Sequence, residues 1–254
     1  MTIAKNIAKI KAELLQVNKQ TQLVAVSKMH SADAVREGLQ AGQRLFGENR
    51  VQEAQEKFLA LQAEFADLQL HLIGPLQTNK VKEALELFDV IQTVDREKLA
   101  IKLSEEKKRA QEREAALSLL QSASQKASGE ALNIKTKEFF VQVNTGEEPQ
   151  KAGIAPQTAV EFVSFCRNDL QMNITGLMCI PPVDEPASMH FGLLRNISIR
   201  IKNEAALSLL QSASQKASGE ALKLSMGMSA DYLEAAEMGA DFVRIGSAIF
   251  GTRN

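Results

Sequence analysis

The segment LVAVSK, Leu23–Lys28, ends an apolar run on a lysine. Four apolar or small residues in succession suit a central strand of a parallel sheet, covered on both faces. A lysine at the C-terminal end of such a strand lies beside low-dielectric walls that disfavour its ammonium form, and the neutral amine is the nucleophile that condenses with an aldehyde. On this motif alone, a surface lysine that happens to end a strand stays open. A second constellation is LSMGMSADYLEAA, Leu224–Ala236. It offers the hydroxyls of Ser225 and Ser229, a backbone freed by Gly227, and a helix start near Ala230, which together suit a phosphate dianion. Asp231 could cap that helix or favour its dipole; the plainer reading is a capped helix after a tight turn. The third is FVRIGSAIFG, Phe242–Gly251, where Arg244 falls within a strand and Gly246 and Ser247 follow it. A buried arginine needs an acceptor, either a ring nitrogen or a structural carboxylate.

Lysine, phosphate turn and inward arginine match the three handles of pyridoxal 5'-phosphate (PLP): its aldehyde, its phosphate and its pyridine nitrogen. They can meet only if the chain brings three distant segments to one place, so the elements between them matter.

Short β-branched or apolar runs alternate with amphipathic stretches along the whole chain. The strands are expected near Leu23–Ser27, Arg44–Phe46, Leu70–Ile73, Val90–Thr93, Phe139–Val143, Ile174–Met178, Leu222–Ser225 and Phe242–Ile245. Helices are expected within Met1–Leu15 and over Ala32–Ala41, Arg50–Phe65, Lys80–Leu87, Arg96 onward, Ala159–Asn168, Ser188–Ile201 and Tyr232–Met238. Eight strand–helix units predict an α/β fold, a single (β/α)8 TIM barrel over residues 1–254. Active sites on such barrels gather at the C-terminal strand ends, and the loops after the seventh and eighth strands often hold phosphate.

Composition narrows the function. A net charge of −1 gives no pull toward nucleic acid or an anionic membrane. The N-terminal stretch carries Lys5, Lys9 and Lys11 among its apolar residues, unlike a signal peptide, and no apolar run approaches the ~18 residues of a membrane span. Cys166 and Cys179 lack metal-ligand spacing and predict reduced thiols, hence a cytoplasmic protein without a metal site.

One peptide breaks the pattern: EAALSLLQSASQKASGEAL at Glu114–Leu132 recurs unchanged as Glu204–Leu222. The flanks are unrelated, so this is no solenoid period. It reads as a copied insert tolerated at helix–strand connections, with a paired interaction element as the alternative.

Seven motifs, in order, resemble the pyridoxal phosphate homeostasis protein family (the YggS/PROSC type), which is similar to the N-terminal barrel of alanine racemase. They are VAVSK (Val24–Lys28), FGENRVQE (Phe46–Glu53), HLIGPLQTNK (His71–Lys80), VQVNTGEEPQKAG (Val141–Gly153), GLMCIPP (Gly176–Pro182), LSMGMS (Leu224–Ser229) and VRIGSAIFG (Val243–Gly251). The resemblance implies a Schiff base at Lys28, a phosphate near Ser229, Gly246 and Ser247, and Arg244 facing the pyridine nitrogen, which it would leave unprotonated. Ser225 and Gly227 belong to the same phosphate motif. Asn49, His71 and Met178 match motifs expected at the same barrel face, without individual contacts assigned. Lys80 and Lys151 occupy family lysine positions and read as solvated loop residues or as guides for PLP. His30 and His190 receive no role. The second copied peptide departs from the family, because it ends immediately before the phosphate strand.

The implied function is PLP buffering or delivery, with PLP-dependent apo-enzymes as recipients and a monomer or weak homodimer as the working form. The competing reading is a PLP-dependent amino-acid racemase of fold type III. Two-base racemisation needs a second acid–base group, which alanine racemases take as a tyrosine from a C-terminal β domain. The chain ends at Asn254, just after the eighth strand, and its sole tyrosine, Tyr232, is expected to face away, so no catalytic residue is assigned. A sugar-phosphate isomerase is a third reading, for which Glu48 is the one well-placed carboxylate and is insufficient.

Overall fold

The computed structural model describes residues 2–123, 134–211 and 221–251. Eight parallel strands follow one another in chain order: β1 (Gln22–Val26), β2 (Leu45–Glu48), β3 (Gln69–Leu72), β4 (Val90–Val94), β5 (Glu138–Val143), β6 (Ile174–Cys179), β7 (Lys223–Ser225) and β8 (Phe242–Ile245). β8 pairs back onto β1, from Gln22 opposite Phe242 to Ala25 opposite Ile245, and closes the barrel. The crossovers are α2 (Ala32–Gln40), α3 (Val51–Glu64), α4 (Val81–Leu87), α5 (Glu97–Ala123), α6 (Ala159–Ser164), α7 (Ala187–Gln211) and α8 (Tyr232–Glu237). α1 (Ile3–Val17) precedes the first strand, and the short α9 (Ser247–Phe250) follows the last.

Local sequence explains these elements. Ile7, Ile10 and Leu14 are buried along one face of α1, as their spacing requires, and the Thr2 hydroxyl accepts the Lys5 amide at its start. Ser31 caps α2 in the same way through the Ala34 amide. β2 runs to Glu48, two residues beyond its expected end, because Gly47 and Glu48 pair with His71 and Leu72 of β3. α6 stops at Ser164 and continues as a π-helical turn over Phe165–Asp169. α5 and α7 both run into the copied peptide, to Ala123 and Gln211; residues 124–132 of the first copy and 212–220 of the second lie outside the described residues.

Side chains alternate along each strand between the barrel interior and the helix layer. The outward set, with Phe46, Leu70, Phe139 and Val243 among it, joins the helices in one large core. The inward set at the N-terminal end is a separate apolar plug of Val24, Val90, Phe140 and Phe242, with Leu45 against it. Two residues further along the strands the interior turns polar. Gln92 follows Val90, Arg244 follows Phe242, and His71 and Ser225 join them in the barrel interior, all buried.

These four side chains form a directed row. Arg244 can only donate, and its Nη1 gives a hydrogen bond to Ser225 Oγ at 2.8 Å. The one Ser225 hydroxyl proton goes to Gln92 Oε1 at 2.6 Å. That leaves the Gln92 Nε2 donor end 2.8 Å from His71 Nδ1, so Nδ1 accepts and the imidazole proton resides on Nε2. The Phe242 ring lies edge-on to the imidazole at 5.5 Å, and Nε2 is buried without a hydrogen-bond partner among the described residues. Burial lowers the His71 pKa from its usual 6.5 to about 4.

Because the folded value lies below the unfolded one, the unfolded chain binds a proton that the folded chain refuses between about pH 6.5 and about 4. The stability is complete above that window and is lost as pH falls through it. At pH 5 the expected loss from this one group is about 2 kcal/mol relative to pH 8. Urea midpoints measured at both pH values should converge in His71→Gln, and an unchanged pH dependence in that variant would show the imidazole to be uninvolved.

Candidate binding cleft

At the C-terminal ends of the strands a cleft of about 530 Å³ opens onto the surface. Val26 and Ile73 and the loop residue Ile180 give it apolar walls, and Lys28, His30, Asn49 and Arg244 project polar groups into it. The loops after β7 and β8 close one side with Met228, Ser229, Ala230, Gly246, Ser247 and Gly251. The two loops meet where the Ser247 hydroxyl donates to Ser229 Oγ at 3.1 Å. Among the described residues no carboxylate lines the cleft, while a lysine and an arginine do. Its electrostatic character is cationic, with paired hydroxyls on one side.

The guanidinium of Arg244 is buried at the floor of the cleft. Besides Ser225, it donates through Nη2 to the Cys179 carbonyl at 2.8 Å. Both acceptors are neutral, so no ion pair cancels the charge at contact, and burial lowers the arginine pKa. Asp231 is near enough to be felt, but its carboxylate turns away and accepts the Met228 amide at 2.5 Å. It stands at the N-cap of α8 without capping it, so the expected cap is replaced by a bond that folds the phosphate-type turn.

Lys28 lies two residues past the end of β1, half-buried in a tight turn. The Ser27 amide is held by the Gly47 carbonyl of β2, and the Ser27 carbonyl accepts the His30 amide at 3.1 Å, which closes the turn. Met29, directly after the lysine, has φ of 64°. A non-glycine residue there costs roughly 1–2 kcal/mol, so the surroundings must hold it.

Of the residues singled out from sequence, Lys28, Asn49, Ser229, Arg244, Gly246 and Ser247 are brought together around the cleft. His71, Met178, Ser225 and Gly227 are not among its lining residues. His71 and Ser225 lie beneath Arg244 in the buried polar row, and Met178 is wholly buried between Gln142 and Ser225 on the neighbouring strands. Gly227 has φ of +90°, and a Cβ there would come 2.5 Å from that of Ala235, so it lets the turn lie against α8 rather than approach a ligand. Gly74 does similar work beside Asn49, where a Cβ would meet the Asn49 carbonyl at 2.3 Å.

Glu48 requires a correction. Leu45 faces inward, so Glu48, three positions on, faces the helices, where it accepts from Lys57 Nζ at 2.6 Å and from the Ser27 hydroxyl at 2.7 Å. Burial raises its pKa, the Lys57 contact opposes that, and it is no base for the cleft. Lys80 pairs with Glu83 at 2.9 Å and lines an adjoining cleft with Arg50 and Arg96, sharing only Asn49 with the first. Lys151 pairs with Glu148. Tyr232 donates to Glu13 of α1, in the helix layer. Sequence reasoning missed His30, which stacks on Phe250 at 4.8 Å and lines the cleft, and Gln92, an inward polar residue on the otherwise apolar inner face of VIQTV. Among the described residues, no group of three or more His, Cys, Asp or Glu is placed to hold a metal, and no helix is long and apolar enough to cross a membrane.

Known proteins resemble this chain in sequence and fold. The model of the alanine racemase N-terminal domain family matches residues 1–254. A pyridoxal phosphate homeostasis protein of Vibrio cholerae is 35% identical over 270 aligned residues, covering 100% of this chain and 97% of its own. One from Pseudomonas aeruginosa is 36% identical over 263, covering 100% and 96%. PipY of Synechococcus elongatus, solved with PLP bound, superposes with a TM-score of 0.76 at 33% identity, over 98% of this chain and 100% of PipY. An alanine racemase of Clostridium difficile reaches a TM-score of 0.66 at 14% identity over 99% of this chain but only 57% of its own, a likeness of fold alone. Matched along its whole length by proteins of one kind, this closed barrel belongs to the pyridoxal phosphate homeostasis protein family.

Proposed function

We propose that this chain holds PLP in the cleft at the strand ends and serves PLP homeostasis in the cytoplasm, buffering the cofactor or delivering it to PLP-dependent apo-enzymes. The supporting observation is the donor set: a lysine and a buried arginine, with no lining carboxylate among the described residues, beside two joined serine hydroxyls and walls of Val26, Ile73 and Ile180. That set fits a flat aromatic ring bearing an aldehyde and a dianion. Lys28 would hold the aldehyde carbon, Ser229, Gly246 and Ser247 the phosphate, and Arg244 the ring nitrogen, with Asn49 beside them. Binding of PLP by PipY and the naming of the V. cholerae and P. aeruginosa relatives support the same reading.

Bound PLP supplies an electrophilic aldehyde and, where its ring nitrogen is protonated, an electron sink. Arg244 works against the second property. It is fixed by Ser225 and the Cys179 carbonyl, can donate but not accept, and does not give up its proton, so it leaves the ring nitrogen unprotonated. Lys28 then retains the cofactor without a strong pull toward carbanion chemistry. Tyr232 stands in the helix layer bound to Glu13 and offers no second acid–base group to the cleft. The thiols of Cys166 and Cys179 are free and buried, and burial pushes their pKa values up to about 12, which leaves them poor nucleophiles. Protein recipients and a monomeric or weakly dimeric state complete the proposal.

Three measurements test it. Borohydride reduction of the PLP-loaded protein, followed by digestion and mass spectrometry, should place one modification on Lys28; a protein that stays colourless after PLP addition removes the reading. Arg244→Gln should weaken PLP retention more than Lys80→Ala, roughly tenfold or more, because it leaves buried polar partners unpaired, and equal retention would refute that ranking. Racemase assays on alanine and serine should show no turnover beyond that of free PLP, whereas a robust substrate-specific rate would establish an enzyme.

A further inference from the structure

A buried carboxylate, a half-buried one and a lysine stand behind the Lys28 turn, on the side away from the cleft. Lys57 of α3 is 9% exposed and donates to three oxygens: Ser27 O at 2.8 Å, Glu48 Oε1 at 2.6 Å and Glu53 Oε1 at 2.9 Å. Glu48 also accepts the Ser27 hydroxyl at 2.7 Å. The same oxygen of Glu53 that meets Lys57 accepts the backbone amide of Met29. The cluster therefore grips the chain on both sides of Lys28, by the carbonyl and hydroxyl before it and by the amide after it, without lining the cleft.

The grip falls where the backbone is least at ease. Met29 holds a positive φ of 64° although its side chain is 70% exposed, so side-chain packing contributes little to keeping it there. A bond from the Met29 amide to a carboxylate anchored by Lys57 does contribute, since charge-assisted bonds to backbone amides are among the stronger ones. Glu53 and Lys57 are four residues apart on one helix, so α3 presents both groups as a preset pair.

We infer that Glu53 and Lys57 are positioning residues for Lys28: they fix the left-handed turn that aims its amine into the cleft, and Glu53 acts chiefly through the Met29 amide. The inference deepens the PLP reading and rests on it. Cofactor retention should then depend on a side chain that never touches the cofactor.

The test is PLP titration of the full chain, followed through the visible band, with the melting temperature of the PLP-free protein as control. Glu53→Ala leaves the Lys57–Glu48 pair in place, so the fold should survive, and PLP should bind roughly tenfold more weakly. Glu53→Gln keeps an acceptor for the Met29 amide and should bind within about threefold of wild type. Adding Met29→Gly to Glu53→Ala should recover most of the affinity, because glycine adopts positive φ without strain; a merely structural loss would not respond to that change. If wild type takes up no PLP, the reading beneath the inference fails. If wild type binds and Glu53→Ala binds equally well, or if Met29→Gly restores nothing, the positioning role alone is overturned.

Discussion

A full positive charge inside a parallel barrel, met only by neutral acceptors, is the constraint around which the site is arranged. The Arg244 guanidinium is buried, and its acceptors are a serine hydroxyl and a peptide carbonyl. Desolvating such a group without a counter-charge is expensive, so the fold spends a whole polar layer on it and leaves its charge available at the cleft floor. An anionic, hydrogen-bond-accepting ligand completes what the protein leaves incomplete.

The layering that produces this arrangement was largely visible in the sequence, because strand periodicity is strict. The apolar plug and the polar layer above it are the same inward positions two residues apart, and Arg244 within FVRI announced itself as a charge in a strand. The same rule exposes the failure at Glu48. Reading β2 as ending at Phe46 hid the parity that turns Glu48 toward α3, and a carboxylate at the barrel mouth became half of a buried ion pair. Lys57 was illegible for a different reason. A glutamate and lysine four apart on a helix ordinarily mark a solvated face, and only the outward Glu48 and the carbonyl of Ser27 make this one an interior group. Gln92 gave a weaker signal, an amide among β-branched residues, whose meaning depended on having Ser225 and His71 as neighbours.

The family comparison separates scaffold from chemistry. Alanine racemases share the barrel at 14% identity, whereas PipY shares both the barrel and a third of the residues. The barrel supplies a mouth where eight loops converge, and the residues at that mouth decide what is retained there. In the proposed reading they favour holding over turning over: Arg244 as a donor-only partner for the ring, Tyr232 away from the cleft lining, and Lys28 in a turn that α3 would brace.

The row from Arg244 to His71 has a polarity of its own. Each member passes its hydrogen onward, so the bond dipoles align instead of cancelling, and the sequence of gifts finishes on an imidazole N–H with nobody to receive it. Such a queue cannot run backwards, since its first member never accepts. Arg244 at the cleft floor and His71 in the barrel interior are therefore the two fixed ends of one row of aligned dipoles.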